Sequence, residues 1–364
     1  MEPPNGEAVN ARPWRGRQPP ARILAIRIQA MGDTVATLPY LSALRRQVPN
    51  VQLDFLTRSD YVDLPKSVDL ATRVFALDGR RPRAQVLSAI RLLPQLWARR
   101  YHVVIDLQRN RASRLVRRFL LPRAWSEFDR FSPILGGERF RLTIEAAGMG
   151  PLDVYPDLRL REPEAGREKL LAAGWNPAAD LVILNPGGAV RDRHWPVERY
   201  AVFARLLGEG LPRPVQFAVL GIQKVADHAA ALRHELGDQL VNLVNATSLR
   251  EAVSIVRRAR LMVSEDAGLM HVAWVLGVPT VGLFGASRWV WARPHGNYSV
   301  LVVACRRPDG VCMHGTCGVG APSCLQRLPV ERVLQAAQAA LRAPDGGKVI
   351  ARGGQPIFGH QANG

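Results

Sequence analysis

The chain has 364 residues, is 47% hydrophobic and carries a formal net charge of +18. Its length suits two α/β domains better than one, and its apolar content is that of a folded protein with a sizeable core. The charge favours acidic partners, whether nucleic acid, anionic lipid or phosphorylated substrates, yet no zinc-finger spacing or aromatic-rich basic strand makes nucleic acid the first choice.

Residues 1–20 hold Pro, Gly, Asn and Arg without the apolar core of a signal peptide, and no stretch reaches the roughly 18 apolar residues of a membrane span. The expectation is a cytoplasmic chain, soluble or peripheral on the inner face of the membrane, with disordered tails at 1–20 and 344–364. Between the tails, strands and helices alternate. Residues 23–28 read as a buried strand and 34–48 as a helix with Leu38, Leu41, Leu44 and Val48 inward. Strands follow at 51–56 and 74–77, a helix near 84–99, and a strand at 102–107. This βαβ rhythm implies a parallel sheet with helices on both faces.

Residues 155–180 break the rhythm with Pro156, Pro163 and Trp175-Asn176-Pro177, and read as an interdomain linker. Strand-like runs resume at 181–185, 215–220, 240–244, 261–264 and 280–284, and a last helix spans 329–342 with Val333, Leu334 and Leu341 as apolar marks. Two doubly wound domains in sequence make a cleft, with ligands beyond the carboxyl ends of the strands. The cysteines Cys305, Cys312, Cys317 and Cys324 fall in one twenty-residue window. Their clustering points to metal binding or thiol chemistry before disulfides, but the spacing matches no tight zinc pattern, so no metal is assigned.

Three loops stand at strand ends. The first, Gln29-Ala30-Met31-Gly32-Asp33-Thr34, has a glycine that permits close approach or a positive φ and an acid that opens a helix. Asp33 either caps that helix or takes a proton from a substrate hydroxyl. The absence of a G-x-G-x-x-G fingerprint counts against a nicotinamide dehydrogenase. In the second loop, residues 185–196, Gly187 and Gly188 expose backbone N–H groups, Arg191 and Arg193 add cations, and Pro196 starts a helix. It fits a diphosphate, or is a surface turn with incidental arginines. The third follows an apolar run with Ser264-Glu265-Asp266-Ala267-Gly268-Leu269-Met270-His271. Asp266 caps the helix, or the unpaired N–H groups at its start hold a phosphate; His271 is a packed histidine or a ligand contact.

Taken in order, these loops resemble glycosyltransferase family 9, the lipopolysaccharide heptosyltransferases, over roughly residues 21–342. The matching residues are Arg27 with Met31-Gly32-Asp33 and Thr37-Leu38-Pro39, then Pro186-Gly187 with Arg193-His194-Trp195-Pro196. Asp266, Gly268, His271, Ala273 and Pro279 follow, closing with Leu283-Phe284-Gly285 and Pro294. The resemblance implies a GT-B fold, two Rossmann-like doubly wound parallel-sheet domains facing a cleft. Residues 21–160 would bind the acceptor and 161–328 the nucleotide sugar, with a helix at 329–343 packing back toward the first domain. It also implies inverting transfer of heptose from ADP-L-glycero-D-manno-heptose to the lipopolysaccharide inner core, without a metal or other cofactor.

Carried over residue by residue, Asp33 would be the catalytic base, and Arg193 would act on the leaving diphosphate where the family has a lysine. Gly187, Gly188, Arg191, Arg193, Asp266, Ala267, Gly268, Leu269 and His271 would bind the donor, and Met31, Gly32 and Arg109 the acceptor. The partners are then a nucleotide sugar, an acidic lipid-linked or glycan acceptor and an anionic inner-membrane surface, with no nucleic acid. The chain departs from the family at Arg193, at Ala267 where a threonine hydroxyl is usual, and at Gly188-Ala189 in place of hydroxyl residues. The rival readings are a related transferase using another nucleotide sugar on a different surface glycan, and a non-catalytic nucleotide-sugar or nucleic-acid binding protein.

Overall fold

The computed structural model describes residues 9–130, 132, 134–188, 194–285, 287, 289–294, 296–304, 323–342, 348, 350 and 357–358. The chain divides into two compact units, Met1–Arg161 and Glu162–Gly364. Each is built on its own sheet.

The first unit runs β1 (Ala11–Arg12), β2 (Arg22–Ile26), α1 (Met31–Gln47), β3 (Gln52–Arg58), α2 (Asp63–Ser67) and β4 (Arg73–Leu77). It continues with α3 (Pro82–Ala98), β5 (Val103–Asp106), α4 (Arg111–Leu120), β6 (Ala124–Glu127) and α5 (Gly136–Ile144). The sheet order is β1-β6-β5-β2-β3-β4, and every pairing except β1 with β6 is parallel. Strand β2 lies mid-sheet, and Ile23, Leu24, Ala25 and Ile26 are all buried because both sheet faces are covered. Ala89 and Leu96 of α3 and Val116 and Leu120 of α4 pack on Leu24, Ile26 and Val104.

The second unit holds α6 (Arg167–Ala172), β7 (Asp180–Asn185), α7 (Val197–Glu209), β8 (Val215–Gly221), α8 (Ala226–Leu236) and β9 (Leu240–Val244). Next come α9 (Leu249–Arg258), β10 (Leu261–Glu265), α10 (Gly268–Val275), β11 (Thr280–Phe284), α11 (Trp289–Ala292) and β12 (Ser299–Val303). It closes with α12 (Cys324–Arg327), α13 (Val330–Leu341) and β13 (Ile357–Phe358). The sheet order is β13-β12-β11-β10-β7-β8-β9, parallel throughout.

Three expectations are corrected. The N-terminal stretch is ordered from residue 9 onward: Ala11 and Arg12 pair with Ser126 and Trp125, and Trp14 N donates to Ala147 O at 2.9 Å. Backbone pairing on the open edge of β6 needs no apolar signature, which is why composition hid it. At the other end Ile357 and Phe358 likewise pair with Val302 and Val303 on the edge of β12, inside the stretch expected to be disordered. Residues 155–180 are not a bare linker, since Asp69 N bonds Arg159 O, Val68 bridges Leu160, and α6 follows. Helix α13 buries Val333, Ala336, Ala337 and Ala340 in the second unit's core.

Candidate active site

In the first unit the chain leaves β2 through Arg27 and enters α1 at Met31. Ala30 is the N-cap, so Asp33 does not cap; it is the third helical residue, and its Oδ2 accepts from Ala30 N at 3.2 Å. The carboxylate closes the helix start from inside, where the helix dipole favours it. It also pairs with Arg27. Arg27 is buried, and its Nη2 lies 2.6 Å from Asp33 Oδ2 while Nη1 donates to Leu107 O. The guanidinium sits over the rings of Phe128 and Phe140, at 5.2 and 5.4 Å. A buried cation needs such pairing. The Asp33 side chain, by contrast, is 49% exposed. The result is an acid that faces solvent and is held in one orientation from below.

Arg139 stands behind the pair, over Phe128 at 5.0 Å. Burial, then the charge of Arg27, pulls its pKa down to about 10. Gln108 Oε1 accepts from both Ile28 N and Gln29 N at 3.0 Å, fixing the loop between strand and helix. Met31 and Gly32 form the first turn beside Asp33; Gly32 is helical, so the expected positive φ is not used.

Arg109 belongs to a cavity of about 580 Å³ beyond the carboxyl end of β5. Five arginines line it (Arg80, Arg109, Arg111, Arg114 and Arg130) together with Gln29 and Gln85. Buried Asp106, at the end of β5, holds the loop that carries Arg109: its carboxylate accepts from Gln108 N, Arg109 N and Ser113 Oγ at 2.9–3.0 Å. Burial pushes that carboxyl upward from its ordinary range. Glu127 sits behind Arg114 and Arg109. Among the described residues no carboxylate lines the cavity, and such a concave surface of guanidinium groups suits phosphate or carboxylate groups. Sequence reading found only Arg109 here; Arg111 and Arg114 follow it at the start of α4, while Arg80 and Arg130 come from two other loops.

In the second unit the organising group is Glu265, the last residue of β10 and fully buried. Its Oε2 accepts from Gly188 N at 2.9 Å and lies 2.8 Å from His194 Nδ1; its Oε1 accepts from Trp195 N at 2.7 Å. Both ends of the glycine loop are therefore tied to one carboxylate. Lys224 Nζ donates to Gly188 O at 2.8 Å from the end of β8, placing a cation beside the loop. Gly187 is required: a Cβ there would come within 2.8 Å of Asn185 Oδ1, whose amide is committed to Ser264 Oγ. Pro196 precedes α7 as its N-cap.

Helix α10 begins at Gly268 with Ala267 as N-cap, whose methyl group accepts no hydrogen bond. Asp266 therefore does not cap it; its Oδ2 accepts from buried Ser287 Oγ at 2.9 Å. Asp266, Ala267, Gly268 and Leu269 are half-buried, with the helix's first N–H groups beside them. His271 is buried and meets Trp274 edge-on, at 6.4 Å between ring centroids. Arg191 and Arg193 lie outside the described residues, as do Cys305, Cys312 and Cys317; Cys324 is buried at the start of α12. The sequence reading names Glu265 in the third loop without a role and does not name Lys224. An acid ending an otherwise apolar buried strand was the available signal for the first.

The family model for glycosyltransferase family 9 (heptosyltransferase) matches residues 138–321, half of the chain. Lipopolysaccharide heptosyltransferase 1 of Pseudomonas aeruginosa is 24% identical over 89% of this chain and 99% of its own length. Among solved structures, a family 9 glycosyltransferase from Veillonella parvula superimposes with a TM-score of 0.70 at 16% identity, covering 88% of this chain and 97% of the other. The E. coli ADP-heptose LPS heptosyltransferase II gives 0.68 at 21% identity, with 88% and 98% covered. The fold class is GT-B, and the two sheets described above are its two Rossmann-like units. The chain belongs to glycosyltransferase family 9.

Proposed function

We propose that this glycosyltransferase moves heptose, with inversion, from ADP-L-glycero-D-manno-heptose to the lipopolysaccharide inner core, on the inner face of the cytoplasmic membrane and without a metal ion. The observation that carries the reading is Asp33: a half-exposed carboxylate at the carboxyl end of a central strand, oriented by buried Arg27. The donor is inferred from the relatives, one named a lipopolysaccharide heptosyltransferase and one an ADP-heptose enzyme.

In this mechanism an Asp33 carboxylate oxygen takes the proton of the acceptor hydroxyl as that oxygen bonds to the anomeric carbon. The bond from that carbon to the phosphate oxygen breaks, and its electrons leave with ADP. Positioned proton transfer of this kind is worth roughly 10²–10⁴-fold. Arg27 orients the base without touching substrate. On the donor side, Gly188 lines the site while the N–H groups at Gly187, Gly268 and Leu269 act with Lys224, Arg191 and Arg193 on the diphosphate, which is the role a metal would otherwise fill. Asp266, Ala267 and His271 line the same site. Met31, Gly32 and Arg109 serve the acceptor, whose anionic groups suit the five-arginine cavity.

Asp33→Asn is expected to lower kcat by roughly 10²–10⁴-fold while ADP, titrated calorimetrically in EDTA, binds as it does to wild type. Near-wild-type turnover removes Asp33 from the role of base. Loss of ADP binding in EDTA overturns the metal-free reading, and a preference for UDP or GDP changes the donor while leaving the Asp33 chemistry in place.

A further inference from the structure

Helix α3 is apolar on two sides. Its inward side, Ala89 and Leu96 with Val86 and Leu92, packs on the sheet. Leu87, Ile90, Pro94 and Trp97 follow one another at spacings of three and four residues, which aligns them on a single outer stripe. All four are exposed, Trp97 at 65%. Neighbouring α4 ends in exposed Phe119 and then Leu121. Five of the ten exposed large hydrophobic side chains among the described residues thus lie on α3 and at the end of α4. Leu121 is the most telling. It holds a left-handed backbone (φ 46°), a conformation costing a non-glycine residue about 1–2 kcal/mol, and its side chain is 79% exposed. Neither backbone preference nor core burial accounts for a leucine there.

Trp97 and Leu121 line one groove of about 800 Å³, together with Arg100 and Arg123. An adjoining cavity shares Arg123 and adds Arg12, Arg15 and Trp14. Among the described residues, no carboxylate lines either one. At its opposite end, α3 contributes Pro82 and Gln85 to the five-arginine cavity. The helix has 17 residues and so spans about 25 Å between the two.

We propose that the outer face of α3 and α4 is a docking surface for an anionic lipid bilayer, with Trp97 and Leu121 entering the interface and Arg100 and Arg123 meeting headgroup phosphates. Apolar insertion and basic attraction are the two signals that stable peripheral binding requires. None of the described helices is long and apolar enough to cross a membrane, so attachment through them is interfacial. A second copy of the chain is a poorer occupant, because a two-fold contact would set these arginines against their own kind. The surface also explains how a lipid-linked acceptor meets the arginine cavity: both lie along one helix. That last point rests on the proposed function; the docking itself does not.

The test is co-sedimentation of the full chain with vesicles of phosphatidylcholine alone or enriched in phosphatidylglycerol, with no nucleotide or sugar present. Wild type is expected to sediment with the anionic vesicles only, and less so at high salt. The double variant Trp97→Ser/Leu121→Ser should partition about tenfold more weakly, as loss of two inserted apolar groups implies. Arg100→Glu/Arg123→Glu should erase the preference for phosphatidylglycerol. Unchanged circular dichroism and melting confirm that these exposed substitutions leave the fold intact. Wild type that ignores anionic vesicles overturns the proposal, as do variants that bind like wild type. A wild-type dimer in light scattering that the Trp97/Leu121 variant dissolves reassigns the face to self-association.

Discussion

The two loops that follow the central strands β2 and β7 use charge in opposite senses. In the first unit a buried cation, Arg27, presents an acid to solvent. In the second a buried acid, Glu265, gathers Gly188 N, His194 and Trp195 N, and Lys224 stands beside the loop. One loop turns an acid outward, and the other is tied down by an acid with a cation beside it. The lesson is that each site's outward charge is set by an ion held beneath it, and each buried ion is a place where the arrangement can be broken.

Asp33→Asn, described above, has the largest expected effect on catalysis. Next is Glu265→Ala. It strands two backbone donors and a histidine in a buried site, at a cost of about 3–5 kcal/mol in urea unfolding. Glu265→Gln keeps the shape and should cost about 1–3 kcal/mol. A loss below 0.5 kcal/mol, roughly that of an ordinary surface change, for the alanine variant would show that Glu265 does not hold the loop.

Arg27→Met tests the opposite arrangement. With the carboxylate no longer held, kcat should fall about 10²-fold, ADP affinity should stay as it was, and Arg27→Lys should restore part of the rate. A change confined to KM would place Arg27 in substrate binding rather than in positioning the base. Lys224→Met should then weaken ADP binding by about tenfold, the worth of one hydrogen bond from a charged group; calorimetry returning the wild-type Kd excludes Lys224 from the donor site.

The smallest effect concerns His228, whose ring lies 4.9 Å from that of His194. Burial first, then the charge of His194, lowers its pKa from the ordinary 6.5. The unfolded chain therefore binds the proton more readily, so this contribution to stability is present above the unfolded pKa and is lost as pH falls below it. His228→Asn should flatten the acid side of the stability curve over that window; an unchanged slope assigns the pH dependence elsewhere.

Much of the architecture was legible because parallel strands buried on both faces read as unbroken apolar runs. Leu240–Val244 and Thr280–Phe284 have the boundaries read from the sequence, and β2, β3 and β7 differ from it by one or two residues. The Asp33 and Gly187-Gly188 loops were legible because turn residues at strand ends have few other uses. Edge strands β1 and β13 were not, since two residues joined by backbone hydrogen bonds leave no pattern in side chains.

By itself, then, the sequence determined the alternation of interior strands with helices, the unusual loops at strand ends and the family, all properties of local periodicity and spacing. Tertiary structure alone decided which way each charged group points. Glu265 and Asp266 are neighbours, yet one is buried under the glycine loop and the other bonds Ser287. It also decided that Leu87 and Trp97 face outward while Ala89 and Leu96 of the same helix face the core. Periodicity reports that a helix has an apolar stripe; only the packing of its neighbours determines which stripe is buried.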